Sequence, residues 1–300
     1  MAYLYEYPPF DRSRGNDAGR AVIPSCKSLI KLISNGRSSL HMKLTFMTYN
    51  IYNGAETTID DVIAVINEAK PDILTLNEAN GFEDNTRKRL AYVAEQTAMP
   101  YTHLALCGDG SWYHTALLSR YTILDATLLY PCSRSLLVSR VQINNHIFSI
   151  GSLHLSPRCE ADRLQEVHRL INHIGENSTH TVVMGDCNSL SFYDTYPPDI
   201  VDSFDANLTR KFTRDDTIVH DVTRFMAQAG LVDTAAALQQ HATSTAPTPL
   251  PPHPDHPTSR LDYIFVSKDL QPALTSYNVV KTPLSDRASD HYPVVVELTL

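Results

Sequence analysis

The sequence has no apolar run long enough to cross a bilayer. Its longest runs, Val62-Ile63-Ala64-Val65-Ile66 and Val294-Val295-Val296, fall far short of the roughly 20 residues that ~30 Å of hydrocarbon demands. No leading apolar segment resembles a secretory signal, so membrane spanning and ordinary secretion are both disfavoured. It also has no C-x-x-C pair. Cys26, Cys107, Cys132, Cys159 and Cys187 are odd in number and widely scattered, which argues against a disulfide frame or a thiolate zinc site and for reduced thiols in the cytoplasm. There is no excess of basic charge either: 25 Lys and Arg stand against 33 Asp and Glu, a formal charge of -8. Residues 1–41 hold six basic and three acidic groups, which leaves residues 42–300 at -11. A surface that acidic repels polyphosphate chains at long range and disfavours extended nucleic-acid binding. No internal repeat occurs.

The 300 residues are 43% hydrophobic and 19% charged, enough to bury one large core or two modest ones. Residues 1–41 are Tyr-rich, then Gly/Asn/Ser-rich, with little periodicity, and are expected to be disordered or loosely packed. Met42 stands directly before the first convincing strand, Lys43 to Ile51, so residues 1–41 read as an extension upstream of the true start, with a targeting peptide as the competing reading. From residue 42 onward, strand-like runs alternate with helical patterns, the mark of an α/β or α+β chain. A helix through Val62–Ile66 stops at Lys70-Pro71, and residues 84–98 and 159–176 form two more amphipathic helices. Strands are expected near 115–129, 136–143, 147–154, 181–185, 261–266 and 293–299, joined by turns short enough to require mixed or antiparallel sheets. Ala246–Pro257, with six prolines in twelve residues, reads as a surface loop after a helix ending near Gln240. One domain, residues 42–300, accounts for the pattern, and a monomer is expected.

The acids, amides and histidines fall repeatedly where apolar runs end. Asn50 follows Phe46-Met47-Thr48-Tyr49, Asn77-Glu78 follows Ile73-Leu74-Thr75-Leu76, and His154 follows Phe148–Leu153. Asp186 and Asn188 follow Val182-Val183-Met184-Gly185; Asp262 opens Tyr263-Ile264-Phe265; Asp290-His291 opens the last strand. Each alone has a plain reading: a carboxylate after a strand is usually a helix cap or a solvated loop acid, and Gly185-Asp186-Cys187-Asn188 is an ordinary turn sequence. The ordered series of six such sites is what stands out.

With Thr48-Tyr49-Asn50, Leu76-Asn77-Glu78, Ala116-Leu117-Leu118-Ser119-Arg120-Tyr121, Leu153-His154-Leu155, Gly185-Asp186-Cys187-Asn188, Arg260-Leu261-Asp262-Tyr263-Ile264-Phe265 and Ser289-Asp290-His291 in that order, the chain resembles the exonuclease-endonuclease-phosphatase superfamily over residues 43–300. The resemblance implies a four-layer α/β sandwich, with two mixed β-sheets packed face to face, helices on the outside and the active site at one edge. It implies Mg²⁺-dependent (or Mn²⁺-dependent) hydrolysis of a phosphoester. Carried over residue by residue, Glu78 would be the main metal ligand, assisted by Asn50 with Asp290 close by. Asp186 and Asn188 would position water and a phosphate oxygen, His154 would bind the phosphoryl group, and Asp262 would orient His291, with the proton from water assigned jointly to His291 and Asp186.

General chemistry suits that inventory. Mg²⁺ takes one or two carboxylates and keeps several waters, and a hard cation stabilises charge gathering on phosphoryl oxygens. A carboxylate on one histidine nitrogen fixes the tautomer and raises basicity. The chain departs from the family pattern at Tyr52, where nuclease members often carry an acid, and at Asn77, where glutamine is usual. Trp112, Tyr113 and His114 occupy the loop where apurinic enzymes place a tyrosine. Tyr113 and His114 are candidate substrate-loop residues, and Cys187 is expected to pack as a small apolar side chain. Three functions follow for test: a hydrolase of a small or lipid-linked phosphate ester; a nuclease relying on Arg158, Arg210, Lys211 and Arg214; and a non-catalytic binding module of the same fold.

Overall fold

The computed structural model describes residues 42–107, 112–176, 178–240, 243–250 and 257–300, and residues 42–300 cluster as one compact unit. The sequence expectation for residues 1–41 lies outside the described residues. In chain order the elements are β1 (Lys43–Asn50), α1 (Ile59–Ala69), β2 (Ile73–Asn77), α2 (Asp84–Gln96), β3 (Tyr101–Ala105), β4 (Thr115–Ser119), β5 (Thr122–Leu128), β6 (Ser135–Ile143) and β7 (His146–His154). They continue as α3 (Glu160–Ile174), β8 (Thr181–Asp186), α4 (Ala206–Phe212), β9 (Thr213–Arg214), β10 (Thr217–Ile218), α5 (Asp221–Gln228), β11 (Leu231–Asp233), α6 (Thr234–Ala237), β12 (Asp262–Ser267), β13 (Leu274–Val279), α7 (Ser285–Ala288) and β14 (Val294–Thr299).

Two six-stranded sheets result, one ordered β13-β14-β1-β2-β4-β3 and the other β11-β12-β8-β7-β6-β5. Each is antiparallel except for one central parallel pair, β1 with β2 and β7 with β8. The period-2 alternation of strand side chains sorts the core into layers. Leu44 and Phe46 of β1, Ile73 of β2, Phe148 and Ile150 of β7, and Val182 and Met184 of β8 meet between the sheets. On the outer face of the first sheet, Met47, Tyr49, Leu74 and Leu76 pack under Val62, Ile66, Leu90 and Val93 of α1 and α2. On the outer face of the second, Leu153, Val183, Tyr263 and Phe265 pack under Val167, Leu170, Val222 and Met226 of α3 and α5. Helix, sheet, sheet, helix is the four-layer sandwich the sequence resemblance implies.

The expected strand over 115–129 divides into β4 and β5, which belong to different sheets. The chain changes sheet at Arg120-Tyr121. There Ser119 Oγ accepts from the Tyr121 N–H at 2.9 Å, and Arg120 donates to the carbonyls of Pro71 (2.9 Å) and Thr97 (3.3 Å). The helix expected to end near Gln240 is the single turn α6, preceded by the longer α5.

The proline-rich segment also differs from its expected place as a surface loop. In its described portions Thr245, Ala246, Thr248 and Ser259 are buried. Prolines lack an N–H, and the interspersed hydroxyl residues carry the hydrogen bonds instead. Thr245 Oγ1 accepts from the Leu261 N–H (3.0 Å) and Asp262 N–H (3.2 Å), Thr248 N–H donates to Asp290 O (2.9 Å), and Tyr292 N–H donates to Thr245 O (2.6 Å). This segment is thereby sewn to the start of β12 at Asp262 and to the residues that lead into β14.

Candidate active site

The parallel pairs fix where polar residues gather, because parallel neighbours end at the same edge. Asn50 and Asn77 are register partners at the ends of β1 and β2. Across the facing sheet, His154, Asp186 and Asp262 are direct neighbours on β7, β8 and β12. The sheets are pinned together at this edge. Thr75 Oγ1 and Ser152 Oγ lie 2.8 Å apart, Asn77 Nδ2 donates to Leu153 O at 2.8 Å, and Asn77 Oδ1 accepts from Asp186 N–H at 3.0 Å; within the first sheet, Ser289 Oγ donates to Asn50 O at 2.6 Å. Asn77, where the family pattern expects glutamine, therefore serves as a fully buried staple between the sheets rather than reaching into the site.

Backbone geometry around the carboxylates is unusual. Gly185 has φ 146° and sits so close to the neighbouring strand that a Cβ there would lie 1.8 Å from Leu153 O. Only glycine fits immediately before Asp186. Glu78 (φ 60°) and Asn188 (φ 50°) occupy the left-handed region without being glycine, a strain of the kind that clusters at functional sites.

Asn50 Nδ2 donates to Asp186 Oδ2 (3.2 Å) and approaches Glu78 Oε1 (3.5 Å), while its Oδ1 accepts from the Tyr52 N–H at 3.1 Å. Asn50 is thus an amide bridge between two carboxylates, with its oxygen already engaged. Glu78 Oε2 accepts from Asn53 N–H at 3.0 Å. Burial pushes the Glu78 carboxyl up from its ordinary value against that hydrogen bond, and the Asp290 charge raises it further. Asp290 is pushed up likewise, by burial first and by Asp186 and Asp262, with His291 opposing. Two half-buried acids that repel each other with few donors form a site that a divalent cation would relieve.

Asp186 Oδ1 accepts from Asn188 N–H at 2.7 Å. His291 Nδ1 lies 2.7 Å from Asp262 Oδ2. Burial disfavours the imidazolium, but the charge and hydrogen bond of Asp262, then Asp290 and Asp186, outweigh it and push His291 up to about 10. His154 is the opposite case: burial lowers it to about 3 against the opposing charge of Asp186, so its ring is neutral. Asp186, Asp262 and His291 offer ligand atoms all within 4.8 Å of one another. The Asp262–His291 contact is an internal charge pair, however, which leaves Glu78, Asp290 and Asp186 as the hard oxygen donors.

Three buried polar atoms at this edge have no partner: His154 Nδ1, Asp262 Oδ1 and Arg134 Nη1. Native interiors rarely leave such atoms unmade, and a polar ligand at this edge could supply partners. Tyr113 stands edge-on to His154 with ring centroids 6.3 Å apart, and its own face carries the Arg134 guanidinium 3.1 Å from the centroid. His114 lies apart from these groups. It is buried, accepts from Cys107 N–H through Nδ1 (3.0 Å) and faces Glu83 through Nε2 (3.3 Å), so it anchors the loop on which Tyr113 sits. Cys187 is fully buried in the outer core of the second sheet, and burial raises its thiol well above the usual value.

The four cations expected to serve a nucleic-acid groove do not form a stripe. Arg158 pairs with Asp162 (3.2 Å), Arg214 with Asp221, and Arg210 bonds Asn207 Oδ1 (3.1 Å); Lys211 alone reaches the site, donating to Asn188 Oδ1 at 2.6 Å. Arg134 was not legible from sequence, since a lone arginine before a strand carries no pattern. Beyond His291 lies a cavity of about 140 Å³ whose walls include Leu208, Phe212, Ala246 and Leu261. Behind it Arg260 is gripped by Asp194 (Nε to Oδ2, 2.9 Å) and Asp233 (Nη1 to Oδ1, 3.0 Å), which ties the loop after Asn188 to the start of β12.

Two facing mixed sheets with acids and histidines converging at the ends of their parallel pairs define the deoxyribonuclease I-like class. The chain belongs to the Endonuclease/Exonuclease/phosphatase family, which it matches over residues 47–291. Its fold is shared by an AP endonuclease from Archaeoglobus fulgidus (TM-score 0.62, 18% identity, covering 84% of this chain and 98% of that one). It is shared also by truncated TDP2 from Caenorhabditis elegans (0.56, 15%, 86% and 98%) and by an endonuclease/exonuclease/phosphatase from Beutenbergia cavernae (0.60, 20%, 86% and 72%). No curated protein sequence matches the chain. Among the described residues no helix is long and apolar enough to cross a membrane.

Proposed function

We propose that residues 42–300 form a metal-dependent phosphoester hydrolase acting on a small or lipid-linked phosphate ester. The observation that carries this reading is the gathering of Glu78, Asp186, Asp262–His291 and His154 at one sheet edge, where His154 Nδ1 and Asp262 Oδ1 are buried without a hydrogen-bond partner. Glu78 and Asp290 are the proposed holders of Mg²⁺ or Mn²⁺, with Asn50 bridging Glu78 to Asp186. Such an ion would neutralise charge on the phosphoryl oxygens and on the departing oxygen.

The chain's own groups account for the rest. His291, held protonated by Asp262, is a fixed cation for a non-bridging oxygen and is not free to accept a proton at neutral pH. The general base is therefore Asp186, whose Oδ1 and Oδ2 are oriented by Asn188 N–H and Asn50 Nδ2. Water oxygen bonds to phosphorus as its proton passes to Asp186. The ester P–O bond breaks, and the leaving alkoxide takes a proton from solvent or from the protonated Asp186. His154, neutral, offers an N–H to a phosphoryl oxygen, and Tyr113 walls that side. The largely apolar cavity beside His291 and the dispersed arginines favour a compact or lipid-linked substrate over a long polyanion. All of these groups come from one chain, so no partner subunit is needed.

A screen of mono- and diester substrates with added Mg²⁺ tests this. Hydrolysis is expected, abolished by EDTA and reduced at least ~100-fold in Glu78→Gln. Activity indifferent to both changes would refute it.

A further inference from the structure

Lys211 is the one cation of the 191–216 segment that turns into the site, and its surroundings are peculiar. Its half-buried ammonium donates to Asn188 Oδ1 at 2.6 Å, lies 5.0 Å from the centre of the Phe212 ring and forms no ion pair with a carboxylate among the described residues. A desolvated cation without a counter-ion is costly, and here the backbone is arranged to hold it in place. Arg163, fully buried, donates to the Lys211 carbonyl while Nε holds Glu160 Oε2 at 3.0 Å and Nη1 holds Ser156 O at 3.0 Å. Glu160 in turn accepts from Ser189 Oγ (2.8 Å) and Val222 N–H (2.9 Å). The C-terminus of α4 is thereby fixed to α3, α5 and the strand end that carries Asp186.

The contact with Asn188 is also unambiguous chemically. An ammonium only donates and Leu155 O only accepts, so Asn188 must present Oδ1 to Lys211 and Nδ2 to Leu155, which it meets at 3.0 Å. Both ends of that amide are engaged. The two remaining ammonium protons belong to a group that lines the same cavity as His291 and Asp290. From the far side of His154, the unpartnered Arg134 Nη1 leaves a second cation without a counter-ion at the same edge.

We propose that Lys211 is a substrate-contacting residue: its ammonium takes a non-bridging oxygen of the phosphate while bracing Asn188. The segment between Asn188 and α5 thus delivers a charge the phosphate requires, in addition to shaping the pocket. This rests on the reading of the site as a phosphoester site.

Inorganic phosphate with Mg²⁺, titrated into the full chain by calorimetry, tests the proposal without needing turnover. Lys211→Met is expected to weaken binding roughly 10- to 100-fold, the range for a hydrogen bond to a charged group. Lys211→Arg should stay within about threefold of wild type, and Arg210→Met, which removes an outward neighbour, should bind as wild type. Lys211→Met should also keep or raise the melting temperature, because it removes a half-buried charge that no carboxylate pairs; a merely structural lysine predicts a fall. The proposal is overturned if wild type binds no phosphate, if Lys211→Met binds it equally well, or if weakened binding comes only with a lowered melting temperature that Lys211→Arg fails to restore. Lys211-dependent phosphate binding in a protein that hydrolyses no ester would uphold this inference and reject the hydrolase reading.

Discussion

Replacing Asp262 with asparagine isolates the element on which the assignment of acid and base turns. The substitution is nearly isosteric and keeps an oxygen able to accept from His291 Nδ1, which now lies 2.7 Å from Asp262 Oδ2. It deletes the charge that, with its hydrogen bond, does most to raise His291 from 6.5 to about 10 against burial. With burial then opposed only by Asp290 and Asp186, His291 is expected to titrate near or below its ordinary value of 6.5, down from about 10. At ~1.4 kcal/mol per unit this corresponds to roughly 5 kcal/mol of pairing, an upper bound for a buried couple. The assay is the ¹⁵N shift of the imidazole nitrogens followed from pH 5 to 11 in metal-free wild type and Asp262→Asn. Because the variant's His291 would be neutral at pH 8, kcat/KM should drop ~10²- to 10³-fold there and partly recover at pH 6. Should His291 titrate within one unit of wild type in the variant, the charge-pair argument fails, and with it the exclusion of His291 as the base.

The same pair predicts the pH dependence of stability. His291 has a folded value raised above the unfolded 6.5, so its contribution is complete below pH 6.5 and is lost as pH rises toward 10. Between pH 6.5 and 8, urea unfolding of the metal-free protein should show a falling component of up to ~1.4 kcal/mol per pH unit that is absent in Asp262→Asn; superimposable slopes would contradict it. Gly185→Ala places a methyl 1.8 Å from Leu153 O on a backbone with φ 146°. It should cost several kcal/mol (~3 or more) and yield little folded protein, whereas a melting point within ~3 °C of wild type would show that β7 and β8 are not locked as described.

How far the sequence could be read depended on the range of the forces involved. Period-2 runs such as Phe46–Asn50 and Val182–Asp186 are local, and they marked the inner strands and the polar residues at their ends without reference to anything else. β3, β11 and β13 are edge or near-edge strands with mixed patterns, and partner strands define them. The division of 115–129 between two sheets depends on Arg120 finding carbonyls at Pro71 and Thr97, distant in sequence. Among site residues, the carboxylates and histidines were legible because chemistry restricts which residue types can do that work. Arg134 was not singled out, and Lys211 was named only as one of four candidate cations for a nucleic-acid groove, because an arginine or lysine in a loop is ordinarily solvated, and only the surroundings of its tip distinguish these two. His114 illustrates the reverse: its neighbour Tyr113 faces His154, while its own ring is consumed by Cys107 N–H and Glu83.

Net charge and local field part company in this molecule. Residues 42–300 carry -11, yet the edge that carries the candidate site presents Arg134, Lys211 and a His291 raised to about 10, with no ion pair to a carboxylate for the first two among the described residues. The domain's acids do not cancel these cations because most are solvated, where screening confines their influence to about 8–10 Å. Several outer arginines are paired instead: Arg158 with Asp162, Arg214 with Asp221, Arg287 with Asp61. Unpaired positive charge is therefore concentrated where Arg134 and Lys211 meet the site. A long polyanion gains from many evenly spaced contacts, whereas a substrate with a single phosphate gains from one deep site. That distribution, more than the total charge, is what turns the reading toward a compact ester.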